Sequence, residues 1–263
     1  MHNTIKLIWI LLLQVVAVNL FAQPKPKPVK SGVYHWADLP AKKDELGREK
    51  LRIAAGITNE FKVFDFYAVT VNKKGVLKPA HVKNDLEELV IVKSGQMKCT
   101  IGNNTALLGP GSVALIPPLE KQNIENAADT PLTYYVLLFR SKKGMDIERS
   151  ASSGGGLMLN KDSLPVKETA KGYTIKYFDR PTAMCENYEM HITHLNNKGA
   201  SHTPHQHVDT EVILMIDGET EMMIDGINYA AGPGDLYIIE SGKMHGISNA
   251  SGKGCTYFAF KWR

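Results

Sequence analysis

The chain has 263 residues, a length that allows one large domain or two ordinary ones. Hydrophobic residues make up 43% of it and charged residues 22%, which is typical of a globular protein rather than a disordered or fibrous one. The formal net charge is +4, both signs are mixed along the chain, and no basic block is interleaved with aromatic residues. We therefore expect no nucleic-acid partner.

The first 22 residues differ from the rest of the chain. Lys6 precedes an apolar run of residues 7–18, and Ala22 precedes a polar, proline-rich segment. This pattern predicts a secretory signal peptide that is cleaved after Ala22, and hence an exported protein, periplasmic or secreted. The run is shorter than the ~20 residues of a spanning helix, so we expect no stable membrane anchor; an uncleaved anchor is the alternative. Residues 23–32 form a proline- and lysine-rich tail.

The sequence contains two copies of one pattern. At a constant offset of 123 residues, Glu88 aligns with Glu211, and the triplet Gly-Pro-Gly at 109–111 aligns with the same triplet at 232–234. An internal duplication of this length predicts two similar domains, because each copy can form one structural unit.

The duplication also suggests where the domains begin and end. We predict an N-terminal domain at 33–142 and a C-terminal domain at 157–263. Residues 143–156, which include the segment Ser-Ala-Ser-Ser-Gly-Gly-Gly, are predicted to be a flexible linker. Three cysteines lie far apart and form no Cys-x-x-Cys pair, so we expect them to be buried thiols: Cys99, Cys185 and Cys255.

Short apolar segments and glycine-rich turns alternate within each copy. Asp217-Gly218 separates two such segments, which predicts a hairpin, since these turns require positive φ. Many short strands of this kind predict an all-β fold with an antiparallel sandwich or barrel in each copy. The segment 44–52 is the best candidate for a helix.

A cluster of histidines opens one of the predicted strands in the second copy. Alternate residues of a strand face the same side, so His205, His207 and Glu211 share a face. His245, at the start of a later strand, can supply a fourth ligand. Three imidazoles and one carboxylate suit Fe, Mn, Ni, Cu or Zn, which predicts one divalent transition metal in the C-terminal barrel.

The spacing of these residues resembles that of the cupin family. The two motifs that carry the resemblance are Gly199-x5-His205-x-His207-x3-Glu211-x6-Gly218 and Gly234-x5-Glu240-x-Gly242-x2-His245-x3-Asn249. Glu240 stands where the second motif usually has proline. With the duplication, nearly the whole chain after the tail is similar to a bicupin. The resemblance implies two tandem double-stranded β-helix (jelly-roll) barrels and a divalent metal held by the residues matching His205, His207, Glu211 and His245.

The first copy departs from this pattern. It keeps His81 and Glu88, but one extra residue lies between them. Lys83 or Asn84 replaces the second histidine, depending on where that insertion falls, and Gln122 replaces the third. An ammonium group repels a cation and an amide is a weaker ligand than imidazole, so we expect a degenerate N-terminal site without metal.

Four more residues of the second copy are candidates for a substrate pocket. His202 lies three residues before the first ligand. His191 and His194 lie on the preceding predicted strand with opposite parity, so at most one of them faces inward. Glu240 is a candidate general base, with a solvated turn residue as the alternative. No catalytic residue can be assigned from the sequence.

The resemblance implies a metal-dependent enzyme for a small organic acid, a sugar derivative or an aromatic compound. Dioxygenase, isomerase, lyase and hydrolase chemistry stay open, because fold does not decide function. One alternative resembles ureidoglycine aminohydrolase, a manganese hydrolase, although its E-x-H-x3-H pattern differs from the H-x-H-x3-E pattern here. A sugar-binding module and a structural metal site also stay open. A small molecule is the expected partner, and the chain could form a homo-oligomer.

Overall fold

The computed structural model describes residues 27–72, 74–76 and 79–263. The predicted signal peptide at 1–22 and the first four residues of the predicted tail lie outside this part of the chain. Among the described residues, no helix is long and apolar enough to cross a membrane.

Twelve strands of the described chain precede residues 143–156. They are β1 (Gly32–Tyr34), β2 (Lys42–Lys43), β3 (Glu49–Gly56), β4 (Phe61–Val71), β5 (Gly75–Val76), β6 (His81–Val82), β7 (Glu87–Ser94), β8 (Met97–Ile101), β9 (Asn104–Leu108), β10 (Val113–Ile116), β11 (Lys121–Asn126) and β12 (Leu132–Ser141).

Residues 143–156 contain one α-helix, and eleven further strands follow them. The elements are α1 (Ile147–Ser152), β13 (Leu157–Leu159), a 3-10 helix (Lys161–Ser163), β14 (Val166–Thr169), β15 (Gly172–Arg180), β16 (Tyr188–Leu195), β17 (Gly199–Ala200), β18 (Thr210–Asp217), β19 (Thr220–Ile224), β20 (Ile227–Ala231), β21 (Leu236–Ile239), β22 (His245–Asn249) and β23 (Cys255–Trp262).

Each copy forms a jelly roll from one large and one small sheet, which confirms the predicted all-β fold. The large sheets have the strand orders β13-β10-β7-β12-β4-β3-β2 and β1-β21-β18-β23-β16-β15-β14. The small sheets run β5-β11-β8-β9, with β6 also paired to β11, and β17-β22-β19-β20. The equivalent strands β8 and β19 show the same alternation of buried and less buried residues, as expected for strands with one face toward a core.

Two glycines that the duplication aligns are required by close backbone contacts. Gly95 and Gly218 follow the equivalent strands β7 and β18 and have φ values of 85° and 75°. A Cβ atom at either position would lie 2.5 Å from a backbone oxygen, that of Pro131 or of Gly254. Glycine is therefore needed at both turns, because any side chain would clash with the neighbouring strand.

The two large sheets pack against each other through one hydrophobic core. This core contains Phe61 and Phe139 from the first copy and Phe258 and Trp262 from the second, all almost fully buried. The rings of Phe61 and Trp262 stack with their centroids 5.1 Å apart. The barrels are thus held together by apolar packing as well as by the chain that joins them.

Two strands pair across the predicted domain boundaries. Strand β1 is antiparallel to β21 of the second barrel, and β13 is antiparallel to β10 of the first. The predicted boundaries at residues 33 and 157 would place each strand in the other barrel. A strand of three residues carries too short a pattern to indicate which sheet edge it will cover.

Two predictions of local structure were wrong. The predicted flexible linker contains α1, whose N-cap Asp146 accepts a hydrogen bond from the backbone N–H of Arg149. The Arg180 guanidinium also binds the carbonyls of Ser153 and Gly155, contacts that a Ser/Gly-rich composition does not reveal. The predicted helix at 44–52 is a turn followed by β3, because the Asp44 carboxylate accepts the backbone N–H groups of the turn.

The three cysteines are buried and unpaired, as predicted. Burial raises the pKa of the Cys99 thiol to about 12 and that of Cys255 to about 11. These thiols are therefore protonated near neutral pH and are weak nucleophiles and weak ligands.

A carboxyl group lies buried between the two barrels. Glu87 is inaccessible to solvent, and its Oε2 accepts hydrogen bonds of 2.8 Å from the Thr182 hydroxyl and from the Met184 backbone N–H. Its Oε1 has no hydrogen-bond partner. Burial raises the pKa of Glu87 to about 7 despite these two hydrogen bonds.

We expect Glu87→Gln to stabilise the protein at pH 8 more than at pH 5. The folded state holds the Glu87 proton up to about pH 7, whereas the unfolded chain releases it near pH 4.5. Glu87 therefore lowers the unfolding free energy as pH rises through this window, by on the order of 3 kcal/mol at its upper end. Thermal unfolding of both proteins at both pH values measures this difference. An equal change in melting temperature at pH 5 and pH 8 would show that Glu87 does not titrate as described.

Candidate metal centre

The segment between β17 and β18 carries the first two histidines of the motif and lines a cavity of the second barrel. His205 and His245 form a two-residue antiparallel bridge in which each backbone N–H donates to the other residue's carbonyl, at 2.9 and 2.8 Å. The rings of these two histidines are 4.6 Å apart between centroids. The bridge therefore fixes the first histidine of the metal motif opposite the first residue of β22.

Four predicted ligands converge at this position. One ring nitrogen from each of His205, His207 and His245 forms a group in which all three atoms lie within 4.8 Å of one another. Glu211 lies on β18, and its Oε2 is 3.1 Å from His207 Nε2 and 3.0 Å from His245 Nε2. The structure thus brings the parity-related residues of the motif together with the more distant His245.

Backbone carbonyls orient two of the imidazoles. His207 Nδ1 lies 3.0 Å from the carbonyl oxygen of Asp209, and His245 Nδ1 lies 2.8 Å from that of Lys243. A carbonyl can only accept, so each Nδ1 carries the proton, and in the neutral ring the lone pair is on Nε2. Both lone pairs would then point at the negatively charged Glu211. This arrangement is repulsive unless a cation, either protons or a metal ion, lies among the three groups, so the donor set fits a divalent metal.

The pKa values at the centre reflect the same contacts. Burial raises the pKa of Glu211, but its contacts with His207 and His245 outweigh burial and hold it well below its usual range. Burial lowers the pKa of His245, but its contact with Glu211 outweighs burial. The pKa of His245 is therefore raised overall. Burial and the neighbouring histidines lower the pKa of His205, which favours the neutral imidazole that a metal ion requires.

A cavity of about 540 Å³ opens beside the four residues. Apolar side chains form part of its wall, and polar side chains are interspersed among them. The lining includes Ile213, Met222, Ile247, Tyr257 and Ala259, together with His191, Thr193, Ser201, His202, Thr203 and Lys261. A space of this size can enclose a small molecule next to a metal ion.

The structure brings two of the four predicted pocket residues to this cavity. His191 and His202 both line it, and the His202 ring is 4.6 Å from that of His205 between centroids. His194 lies on the opposite face of β16, where its ring stacks on Tyr173 and its Nδ1 is 2.8 Å from the Thr256 hydroxyl. One of the two β16 histidines faces inward, as the parity predicted.

Glu240 does not line the cavity. Its Oε2 accepts hydrogen bonds of 3.0 Å from both the backbone N–H and the hydroxyl of Ser31. The proposed use as a general base was therefore wrong, because this carboxylate ties the segment before β1 to the end of β21.

In the first barrel, a lysine occupies the place of the second histidine. Lys83 Nζ forms an ion pair with Glu88 Oε2 and lies 3.3 Å from His81 Nε2. Gln122 Nε2 donates to the same Glu88 oxygen at 2.9 Å. Asn84, the second candidate for this place, is exposed. Lys83 shares the parity of His81, as His207 shares that of His205, so the inserted residue falls after Lys83 and turns Asn84 outward.

Two charged residues beside the cavity of the second barrel were not predicted from the sequence. Lys261 on β23 lines the cavity, and its Nζ lies 3.2 Å from Glu189 Oε2 on β16. Glu189 Oε1 is also 3.4 Å from His191 Nδ1. The contact with His191, with help from Lys261, outweighs burial and lowers the pKa of Glu189 to about 2. Glu189 has the same strand parity as His191, and this was the available signal.

The cupin-domain family matches the chain twice, at residues 67–138 and 192–260, which together make up more than half of it. The chain therefore belongs to the cupin family and carries two cupin domains in tandem, as the motifs indicated. No curated protein sequence matches it.

Solved structures of other proteins share the fold. The protein Ylba from E. coli superposes with a TM-score of 0.68 at 16% identity, over 92% of this chain and 95% of that chain. Oxalate decarboxylase from Lactobacillus farciminis, in a formate complex, gives 0.68 at 11% identity, over 91% and 88%. AerE from Microcystis aeruginosa gives 0.67 at 12% identity, over 89% and 100%. At these identities the likeness shows the fold alone.

Proposed function

We propose that the second barrel is the active site of a metal-dependent enzyme. One divalent transition metal is held by His205, His207, Glu211 and His245, and the substrate is a small molecule in the adjoining cavity. The observation that carries the proposal is that two oriented Nε2 atoms face one partly buried carboxylate oxygen, at 3.1 and 3.0 Å. Such a set of imidazoles and a carboxylate suits Fe, Mn, Ni, Cu or Zn.

The position of the centre favours catalysis over a purely structural role. His245 is buried, His207 is partly buried and His205 is exposed, so one side of the centre opens toward the cavity. Structural sites are usually closed and rich in cysteine, whereas catalytic sites keep a position for water or substrate. The three cysteines of this chain are buried with raised pKa values and are not among these four residues.

A bound divalent ion supplies Lewis-acid polarisation of a substrate oxygen, or a water molecule with a lowered pKa. The chain's own residues provide the surroundings. The carbonyls of Asp209 and Lys243 keep His207 and His245 in the ligand orientation. Ile213, Met222 and Ile247 give the cavity an apolar wall, which lowers the local dielectric and strengthens polar contacts with a bound molecule.

A metal-dependent turnover assay tests this proposal. The protein is loaded with each of the five ions and offered organic acids, sugar derivatives, aromatic compounds and ureidoglycine, with dioxygen uptake and product formation recorded. We expect turnover with one class of compound that disappears on chelation and returns on reloading. Metal-dependent binding without turnover would favour a binding module instead, and turnover that survives chelation would contradict the proposed centre.

The first barrel is proposed to have a supporting role. The Lys83 ammonium already compensates the buried Glu88 carboxylate, and a metal ion there would have to displace it. The first barrel also supplies half of the shared hydrophobic core. It therefore supports the second barrel through packing rather than through a second metal centre.

We expect Lys83→Met to destabilise the protein by about 3 kcal/mol, because it leaves the Glu88 carboxylate buried without its cation. The neighbouring exposed substitution Asn84→Ala is the matched control and should change stability by less than about 0.5 kcal/mol. Urea unfolding of the two variants measures the difference. Equal effects would mean that Lys83 does not compensate Glu88.

We also propose that the protein is exported after cleavage near Ala22. The apolar run at 7–18 and the small residue at position 22 support this proposal. The intact mass of protein recovered from the periplasm of a bacterial host tests it. Recovery of the uncleaved chain in the membrane fraction would instead favour an uncleaved anchor.

A further inference from the structure

Three charged side chains lie side by side on the large sheet of the second barrel, and two of them, Lys261 and Glu211, line its cavity. Strand β23 runs between β16 and β18, and Lys261 pairs in register with Glu189 on one side and with Glu211 on the other. Directly opposed residues of antiparallel strands project side by side from the same face of the sheet. Lys261 therefore stands between the carboxylate of the metal centre and the carboxylate that contacts His191.

We propose that Lys261 is the anion-binding group of this cavity and that the ligand is a small carboxylic acid, held between the Lys261 ammonium and the metal. The inference rests on the proposed function and names its substrate class. Among the described residues that line the cavity, Lys261 is the one lysine or arginine, and Glu211 is the one carboxylate.

The balance of charge at the site favours a single carboxylate. A divalent ion and Lys261 carry three positive charges, whereas Glu211 and Glu189 carry two negative charges. One positive charge remains, and among the described residues that line the cavity Glu211 is the one acid. An anionic ligand is attracted to such a site, and the apolar wall strengthens the attraction because it excludes water.

The rest of the cavity limits the kind of acid that fits. Tyr257 donates from its hydroxyl to Ser201 at 3.3 Å, and Thr193 pairs with Tyr257 on the neighbouring strand. These hydroxyls can bind a polar substituent on the acid. Ile213 and Ile247 line the cavity and can pack against a compact apolar part of the acid. The site thus fits an acid with both a polar and an apolar portion rather than a fully polar sugar.

Glu189 controls how strongly Lys261 can bind an anion. Its carboxylate lies 3.2 Å from Lys261 Nζ and offsets part of the ammonium charge. With a neutral side chain at position 189, the full positive charge of the Lys261 ammonium would be available to attract the ligand. The two residues therefore have opposite effects on anion affinity, whereas a merely structural ion pair would give no change or a loss with either substitution.

Cobalt-loaded protein provides the test, because the visible absorption of bound Co²⁺ changes when a ligand reaches the ion. The full-length protein is titrated with acetate as the probe and with acetamide as its neutral counterpart. We expect acetate to bind and acetamide to bind much more weakly. Lys261→Met should weaken acetate binding by roughly tenfold or more, whereas Glu189→Gln should tighten it severalfold. Co²⁺ content should stay at about one per chain in both variants.

Lys143→Met is the matched control, since Lys143 forms a similar pair with Glu186 at 2.6 Å on the exposed surface. It should leave acetate binding unchanged. If the wild-type protein takes up neither Co²⁺ nor any of Fe, Mn, Ni, Cu and Zn, the proposed function and this inference both fail. If Co²⁺ binds but Lys261→Met keeps wild-type acetate affinity, the inference alone fails. If Lys261→Met does not fold, Glu189→Gln decides: tighter binding supports the inference, and unchanged or weaker binding overturns it.

Discussion

The variant His207→Ala is expected to lose the metal of the second barrel. Its Nε2 lies 3.1 Å from Glu211 Oε2, and its Nδ1 is held by the carbonyl of Asp209. Removing a group that merely orients a ligand typically costs about 10–100-fold in metal affinity, so we expect loss of the ligand itself to cost at least about 100-fold. Elemental analysis after gel filtration should then fall from about one equivalent to less than roughly a tenth.

His194→Ala is the matched control for this experiment. His194 is a histidine of the same barrel, but it lies on the outer face of β16 against Tyr173. It should retain about one equivalent of metal. Circular dichroism of both variants checks that each is folded. Equal retention by the two variants would show that His207 is not a ligand, and equal loss would indicate non-specific binding by histidines.

The second large effect is expected from Trp262→Ala, which should destabilise the whole chain and not just one barrel. Trp262 is 1% exposed and stacks on Phe61 of the first barrel. Its Nε1 also donates to Glu60 Oε2 at 3.3 Å. Truncating a buried tryptophan leaves a large cavity and typically costs about 3–5 kcal/mol. Because the core is shared, we expect one cooperative unfolding transition at a lower denaturant concentration.

The control for Trp262→Ala is Ile227→Ala on the outer strand β20. Ile227 is 58% exposed, so its truncation should change stability by less than about 0.5 kcal/mol. Urea unfolding followed by fluorescence and by circular dichroism measures both variants. A loss below about 1 kcal/mol, or separate transitions for the two barrels, would contradict a shared core.

Strand periodicity explains why most residues of the candidate metal centre could be grouped from the sequence. His205, His207 and Glu211 share parity, and alternate residues of extended chain face one side whatever the rest of the fold does. His245 could be added because the cupin motif gives its spacing. The same rule places His191 inside and His194 outside, once one face of β16 is known to be the interior.

Contacts between distant strands could not be predicted in this way. Lys261 lies beside Glu211 because β23 and β18 are neighbours in the sheet, and no local pattern indicates which strands will be neighbours. Strands β1 and β13 cover sheet edges of the opposite barrel for reasons of topology rather than composition. Glu240 was wrongly assigned to the pocket for the same reason, because its hydrogen-bond partner Ser31 lies far away in the sequence.

The metal content of the wild-type protein tests the central claim most directly. The protein is purified without a histidine tag, incubated with Fe, Mn, Ni, Cu or Zn in turn, and subjected to elemental analysis. We predict about one equivalent per chain with at least one of these ions, because three imidazoles and a carboxylate meet in the second barrel, whereas Lys83 stands among the corresponding residues of the first. No bound metal with any ion, or two equivalents per chain, would contradict this interpretation.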